Sequence, residues 1–216
     1  SCTNCGSNRL RMIGFGTEKI EDELQLIFLN TTFKRMDLDS TRSKNAYEEI
    51  IDNFANRRID VLIGTQMVTK GLDFDHVSMV GILDADMLLN RPDFRAYERS
   101  YQLMSQVAGR AGRKDKRGKV IIQTGNPDHW VIQLVQQHDY QGFYEQEVIE
   151  RQQFFYPPFY KMIQITLKHP NEQLVHAASI EFADALKEVF KERVLGPEFP
   201  LIKRIQNFYL KEIKLK

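Results

Sequence analysis

Three compact apolar runs constrain the fold of this chain more than any other feature. They are "IDVLIGT" (59–65), "VSMVGILD" (77–84) and "GKVIIQT" (118–124), and each ends in polar or glycine-containing sequence. Such runs predict strands that are buried on both faces. Helical stretches around 93–112 and 128–138 alternate with them. This alternation predicts an α/β fold in which helices cover both faces of a parallel sheet.

The residues before these runs continue the same alternation. Residues 16–28 predict a helix with Thr17 in a capping position, 31–37 a short strand, and 40–57 a second helix. Ligands of such sheets bind beyond the carboxyl ends of the strands. The sequence therefore places a candidate site in the segments that follow the strands, which are 65–75, 84–95 and 124–128.

A domain boundary is predicted near residue 150. In "FFYPPFY" (154–160) two prolines stop the preceding helix. A strand (161–168), a long helix (171–193) and a final strand (203–215) follow. We therefore expect one domain over 1–150 and a smaller, truncated α+β domain over 151–216. The aromatic side chains around the prolines could stack on bases, but packing between domains is the favoured interpretation for Tyr156, Phe159 and Tyr160.

Composition excludes some classes of protein. The chain has 216 residues, 42% hydrophobic and 27% charged, as expected of one large or two small globular domains. No segment has the roughly 18 apolar residues of a membrane span, and no signal-peptide pattern is present, so a cytoplasmic protein is expected.

Charge is unevenly distributed along the chain. The net charge of +1 excludes binding through a diffuse basic surface, so a nucleic-acid site must be local. Residues 1–150 carry 19 basic against 22 acidic side chains, and 151–216 carry 11 against 7. The C-terminal third is therefore the basic part, although its lysines and arginines are also typical of a solvated face.

Cys2 and Cys5 are the only cysteines, in "SCTNCGS". A C-x-x-C pair followed by glycine is half of a structural zinc site, and about four ligands are needed. The five histidines show no paired ligand spacing. A redox pair and two free thiols are the alternatives.

The segment "QVAGRAGR" (106–113) contains a cluster of side chains that could take part in catalysis. On a helix, Gln106, Arg110 and Arg113 lie along one stripe. Two guanidinium groups presented together can stabilise the charge on a transferring phosphoryl group. Gly109 and Gly112 cost helix propensity, about 1 kcal/mol each, and they leave room for close approach. The alternative is a solvated basic helix end.

The segment "GTQMVTKGLDF" (64–74) directly follows a predicted strand. Its hydroxyl, amide and backbone N–H groups suit nucleic-acid phosphates, and Asp73 could accept a hydrogen bond from a ribose hydroxyl. The alternative is a structural connection in which Gly71 adopts a positive φ.

Together these segments resemble a known family. "GTQMVTKGLDF" resembles motif V and "QVAGRAGR" motif VI of superfamily 2 helicases, and "RMDLDSTRSK" (35–44) lies where motif IV falls in their second, RecA-like lobe. "LIGTQMVTKGLDF", "RPDFRAYERSYQLMSQVAGRAGR", "VIIQTGNP" and "YPPF" are similar to the bacterial replication-restart helicases. The similarity runs from "CTNCGS" to "VLGPEFPLIKR".

The resemblance implies roles for individual residues. Arg113 corresponds to the arginine finger, Arg110 lies beside the γ-phosphate, and Gln106 couples nucleotide state to the facing lobe. Gly71 and Asp73 correspond to nucleotide-side positions. The residues expected nearer the DNA strand are Thr65, Gln66, Thr69 and Lys70. Cys2 and Cys5 correspond to the last pair of an eight-cysteine zinc-binding insertion.

The implied activity is that of an ATP-dependent 3′→5′ DNA helicase that unwinds forked DNA and initiates primosome assembly for replication restart. The implied cofactors are ATP, Mg²⁺ and Zn²⁺, and the implied partners are single-stranded and forked DNA, other primosome proteins and the single-stranded DNA-binding protein. The sequence has no G-x-x-x-x-G-K-[ST] loop and no D-E-x-x element. We therefore expect a fragment that does not hydrolyse ATP by itself. A superfamily 2 translocase that does not unwind DNA, and a non-catalytic helicase-like binding module, remain as alternatives.

Overall fold

The computed structural model describes residues 16–37, 40–41, 44–65, 68, 74, 76–111 and 118–216. They divide into two compact units, with the boundary along the chain between Asp139 and Tyr140. Helix 140–153 thus belongs to the second unit, whereas the sequence placed the boundary near 150. No helix in these ranges combines the length and apolar character needed to cross a membrane.

The first unit alternates helices and short strands, as expected. Its helices and strands are α1 (Thr17–Ile27), β1 (Phe33–Met36), α2 (Lys44–Ala55), β2 (Val61–Gly64), β3 (Met79–Ile82), α3 (Ala85–Leu89), α4 (Ala96–Ala108), β4 (Lys119–Ile122) and α5 (Trp130–Gln137).

The strands of the first unit are parallel, which confirms the predicted α/β class. β1 pairs with β2, with Phe33 opposite Val61, and β3 pairs with β4, with Met79 opposite Lys119. The described strands form these two pairs and not one continuous sheet. The expectation that every strand is buried on both faces is wrong for β3 and β4. Alternate residues along both strands are exposed, Ile121 among them, so within the described part of the chain one face of the pair is open to solvent.

Helices pack along these strands. α1 packs against β1 and β2, α2 against β1, and α4 against β3 as well as α3 and α5. Met36 and Ile50, both buried, form the centre of one core cluster between β1 and α2. The apolar side chains that pack around it are Tyr47, Ile51, Leu62, Val68 and Phe74.

The second unit has one sheet and two longer helices. Its helices and strands are α6 (Tyr140–Gln153), β5 (Ile163–His169), α7 (Glu172–Phe190), a 3-10 turn (Lys191–Arg193), β6 (Val194–Glu198), β7 (Arg204–Ile205) and β8 (Phe208–Leu215). The sheet order is β5-β8-β6, with β7 paired to β8, and all pairs are antiparallel. The predicted α+β class is confirmed, and α7 packs against β5, β6 and β8 over a core of Ala183, Val194 and Ile213.

Two details of the second unit differ from the sequence prediction. "GPEFP", predicted as a connection, contributes to β6, where Gly196 has φ +99° and a Cβ there would lie 2.8 Å from the Glu212 carbonyl oxygen. Glycine is therefore required at this irregularity of the strand. The predicted strand 203–215 is a hairpin, because Ile205 pairs with Phe208 across Gln206, which has φ +55°, and Asn207.

Candidate functional site

The carboxyl end of β1 is organised by Asp37. Its carboxylate accepts hydrogen bonds from the Thr17 hydroxyl (2.6 Å) and the Ser40 amide (2.8 Å), and the Asp37 amide donates to the Ser40 hydroxyl (2.9 Å). The bond from Thr17, then that from Ser40, lowers the pKa of Asp37 to about 2. The prediction of Thr17 as a cap is wrong. Gly16 is the N-cap residue, and Thr17 instead ties the start of α1 to the end of β1.

The carboxyl end of β2 depends on Gly64. A Cβ at this position would lie 2.0 Å from Val68 Cγ2 and 2.6 Å from the Met36 carbonyl oxygen. The chain therefore turns back closely enough for Val68 to join the core cluster around Met36, with its amide bonded to the Thr65 carbonyl (3.1 Å). Thr65 itself is exposed at the start of the loop. This exposure is compatible with its predicted contact to DNA.

The carboxyl ends of β3 and β4 are joined by Asp86. Its two carboxylate oxygens accept hydrogen bonds from the Thr124 hydroxyl (2.7 Å) and the Gly125 amide (2.7 Å). These bonds, led by that from Gly125, lower the pKa of Asp86, so the carboxylate stays ionised. The Asp84 amide donates to Gln123 Oε1 (3.2 Å) beside them.

Asp84 caps the helix that follows β3. It lies in the left-handed region (φ 51°, ψ 58°), which aspartate tolerates better than most residues, and its carboxylate accepts from the Met87 amide (3.2 Å). The sequence predicted ligand-binding segments at 84–95 and 124–128 but did not single out Asp84 or Asp86. Their position directly after an apolar strand was the available signal.

Helix α4 carries the candidate residues of "QVAGRAGR". It ends at Ala108, and the chain continues through Arg110 and Ala111 in hydrogen bonds to the carbonyls three residues earlier (3.0 and 3.2 Å). Arg110 thus lies past the end of the helix, in a tighter turn than the α-helix on which the sequence placed it. The tighter turn advances each residue farther around the axis than an α-helix does. Gln106 is exposed and Arg110 half-buried, and both make further interactions.

Gly109 is not required by any described neighbour. Its φ is −64°, and a Cβ would meet only the Ser105 and Gln106 carbonyl oxygens at 3.5 and 3.6 Å, which is ordinary contact. The room that the sequence analysis assigned to this glycine is therefore not used within the described part of the chain.

The remaining predicted site residues lie outside the described residues. These are Arg113, Gly71 and Asp73, the strand-side residues Gln66, Thr69 and Lys70, and the cysteines Cys2 and Cys5. In the ranges that the structure describes, no group of three or more histidine, cysteine, aspartate or glutamate side chains could hold a metal ion.

The basic end of the second unit is arranged around aromatic rings. Lys203 Nζ lies 4.6 Å from the ring centroid of Phe199, Lys211 Nζ lies 3.7 Å from the same centroid, and the Arg204 guanidinium lies 5.0 Å from that of Tyr209. Lys211 is only 4% exposed. The interpretation of these cations as a solvated face is therefore wrong for Lys211, whose stem packs in the domain while its charge faces a ring.

The aromatic side chains near the two prolines behave differently from one another. Tyr156 is half-buried, with Lys216 Nζ 3.9 Å from its ring centroid, whereas Phe159 and Tyr160 are exposed. The Tyr160 ring nevertheless lies edge-on to that of Phe155, with centroids 4.9 Å apart, so packing within the second unit accounts for Tyr156 and in part for Tyr160.

Family models match a part of each unit. The helicase conserved C-terminal domain family matches residues 7–115, and the primosomal protein N C-terminal domain matches residues 152–216. The chain is 40% identical over its whole length to replication restart protein PriA of Bacillus subtilis, covering 27% of that protein. It is likewise 40% identical over its whole length to PriA of Synechocystis, covering 26% of it.

Two further matches are more limited. PriA of Chlamydia pneumoniae is 45% identical over 76% of the chain, which corresponds to 22% of that protein. Among solved structures, the C-terminal domain of the DEAD-box protein Dbp5 is 19% identical, with a TM-score of 0.39 over 64% of this chain and 78% of that one. The chain thus spans about a quarter of the length of the curated relatives it matches.

Proposed function

Because the chain belongs to the helicase conserved C-terminal domain family, we propose that it forms the second motor lobe and part of the C-terminal domain of an ATP-dependent 3′→5′ DNA helicase. This helicase unwinds forked DNA and initiates primosome assembly for replication restart. The single observation that supports the proposal most is the similarity to PriA proteins along the entire chain. The remaining motor parts are supplied by polypeptide outside this chain.

In this proposal the chain supplies charge stabilisation to a nucleotide held by the other lobe. ATP with Mg²⁺ supplies the phosphoryl group that water attacks. Arg113 acts as the arginine finger, Arg110 lies beside the γ-phosphate, and Gln106 couples nucleotide state to the facing lobe. Two observations on the described residues support this role. Arg110 is half-buried beyond a well-packed helix, and the described neighbours leave space beside Gly109 that a facing surface could occupy.

The strand-binding part of the proposal rests on the loop after β2. Thr65, Gln66, Thr69 and Lys70 contact the backbone of single-stranded DNA, and Gly71 and Asp73 lie on the nucleotide side. Exposure of Thr65 directly beyond β2 supports this placement. Contacts with other primosome proteins and with the single-stranded DNA-binding protein, and a zinc site that includes Cys2 and Cys5, belong to the same proposal.

The proposal is tested with Arg113→Ala in the full-length protein. We expect DNA-stimulated ATP turnover to fall by about 10³-fold or more, the scale of an arginine finger, while binding of a fluorescent ATP analogue is largely retained. Forked-DNA unwinding should be lost in parallel. Lys114→Ala, the adjacent cation, is the matched control. Equal losses of binding and turnover would contradict the finger role, and turnover without strand separation in the wild type would favour a translocase.

A further inference from the structure

The Asp86 carboxylate lies between the two helices that flank α4. Asp86 is in the first turn of α3, and its hydrogen-bond donors, Thr124 and Gly125, follow β4 on the way to α5. Both carboxylate oxygens are engaged across a sequence separation of 38 and 39 residues. The start of α3 is therefore fixed to the segment that leads into α5.

A chain of hydrogen bonds carries this constraint to α5. The Thr124 hydroxyl, which donates to Asp86, also accepts from the Asn126 amide (3.0 Å), and the Asn126 carbonyl accepts from the His129 amide (3.1 Å). His129 Nδ1 in turn accepts from the Val131 amide (3.2 Å) and so caps α5. Each link is short and local, so the Asp86 bridge is connected to the start of α5 through a continuous run of hydrogen bonds.

Helix α4 packs between these two helices. It contacts α3 and α5, and the Tyr97 ring lies edge-on to those of His129 and Trp130, with centroids 5.4 Å apart in both cases. Its residues Tyr101 and Met104 are buried at 4% and 0% exposure. Because close-packed interiors transmit displacement, α4 moves when α3 and α5 move.

From this arrangement we propose that Asp86 is a positioning residue for the motor arginines. By joining α3 to the start of α5, it fixes the orientation of α4. It thereby fixes the positions of Gln106, in the last turn of α4, and of Arg110, just beyond the helix. Asp86 acts only through α4. This inference rests on the proposed function, since it assigns a role in the same ATP site.

Asp60 provides a matched control of the same chemistry. Its carboxylate accepts hydrogen bonds from the amide (2.8 Å) and hydroxyl (2.7 Å) of Thr32, and these bonds lower its pKa as those to Asp86 do. It joins the amino ends of β1 and β2, whereas the main packing partners of α4 are β3, α3 and α5. Loss of either bridge weakens the fold, but only the loss of Asp86 should affect α4.

The experiment uses the full-length protein with Asp86→Asn, Thr124→Val, Thr124→Ser and Asp60→Asn. We expect Asp86→Asn and Thr124→Val to lower the kcat of DNA-stimulated ATP hydrolysis by about 10- to 100-fold, the cost of a misplaced catalytic group. The KM for ATP should stay within about 2-fold. Thr124→Ser keeps the hydroxyl and should restore kcat, and Asp60→Asn should leave kcat unchanged.

Hydrogen exchange supplies a readout that does not depend on activity. Amides of 96–111 should exchange faster in Asp86→Asn and Thr124→Val than in Asp60→Asn. The inference is overturned if kcat and this exchange change no more than in Asp60→Asn, or if Thr124→Ser is as impaired as Thr124→Val. If Asp86→Asn does not fold, the comparison of Thr124→Val with Thr124→Ser tests the inference.

The same assays separate the inference from the proposed function. If Arg113→Ala retains full turnover, the proposed function fails whatever Asp86 does. If Arg113→Ala abolishes turnover while Asp86→Asn matches Asp60→Asn, only the positioning role fails.

Discussion

At the scale of single residues, side chains at strand ends carry much of the organisation of the first unit. Asp86 and Asp60 each accept two hydrogen bonds from distant parts of the chain, and Asp37 accepts one from distant Thr17 and one from nearby Ser40. The sequence indicated where the strands end but not which donor each carboxylate meets. A donor such as Thr17, 20 residues away, is selected by packing and has no local signal.

Asp37 makes stability depend on pH in the acid range. Its folded pKa of about 2 lies below the usual 3.8, so its contribution is fully present above about pH 4 and is lost as the pH falls toward 2. The contribution is about 1–2 kcal/mol. In Thr17→Val this acid-range loss should shrink, because the Thr17 hydrogen bond is the largest cause of the lowered pKa of Asp37. Urea unfolding followed through Trp130, the only tryptophan and in the same unit, measures it between pH 2 and 6.

Thr166→Val is the control for this measurement, because Thr166 is an exposed strand residue of the second unit. It should leave the pH dependence seen by Trp130 unchanged. An unaltered acid-range loss in Thr17→Val would contradict the assigned cause of the Asp37 shift.

At the scale of elements, periodicity predicted most helices and strands because each buries one stripe or face. α1, α2, β1 and β2 lie inside their predicted ranges. The end of α4 was predicted too late, because "AGRAGR" keeps helix-compatible spacing while the backbone tightens after Ala108. β6 was missed because glycine and proline punctuate it, and only pairing with β8 makes it a strand.

The end of α4 allows a test of why Gly109 is there. Gly109→Ala introduces no clash with the residues that the structure describes and should stabilise the first unit by about 0.5–1 kcal/mol, since glycine loses more backbone entropy on folding. In the full-length protein the added methyl occupies the space proposed for the facing surface, so ATP turnover should fall. The two measurements are urea unfolding through Trp130 and steady-state ATPase activity.

Gly81→Ala is the companion variant, because a Cβ there also meets nothing within 4 Å. It lies in β3, so it should leave turnover unchanged. Full activity in Gly109→Ala would show that the glycine is incidental.

At the scale of the whole molecule, the sequence and the structure place the boundary between the two units at different residues. α6 precedes the prolines that suggested a boundary near 150, yet it belongs to the second compact unit. Arg151 links α6 to the proline segment that follows it. It pairs with Glu147 at 2.9 Å, with side-chain exposures of 15% and 9%, and donates to the Pro157 carbonyl (3.2 Å).

The two boundaries predict different stabilities for the isolated second unit. A polypeptide of residues 140–216 should unfold cooperatively in urea, and one of residues 151–216 should be less stable by about 1–3 kcal/mol, because the hydrogen-bonded Glu147–Arg151 ion pair is lost with α6. Circular dichroism measures both transitions. Glu147→Gln in the longer polypeptide isolates the ion pair from the rest of α6, and equal stability of both polypeptides would favour the boundary at 150.

The sequence by itself determined the α/β and α+β classes, the order of most elements, the candidate segments at the strand ends and the family. These follow from local periodicity and from short motifs, which are properties of neighbouring residues. The tertiary structure decided the rest. It set the two strand pairs, the antiparallel β5-β8-β6 order, the unit boundary at Asp139 and the bridge from Asp86 to Thr124. These depend on which distant segments meet, and hydrogen-bond and packing complementarity across tens of residues leaves no periodic trace in the chain.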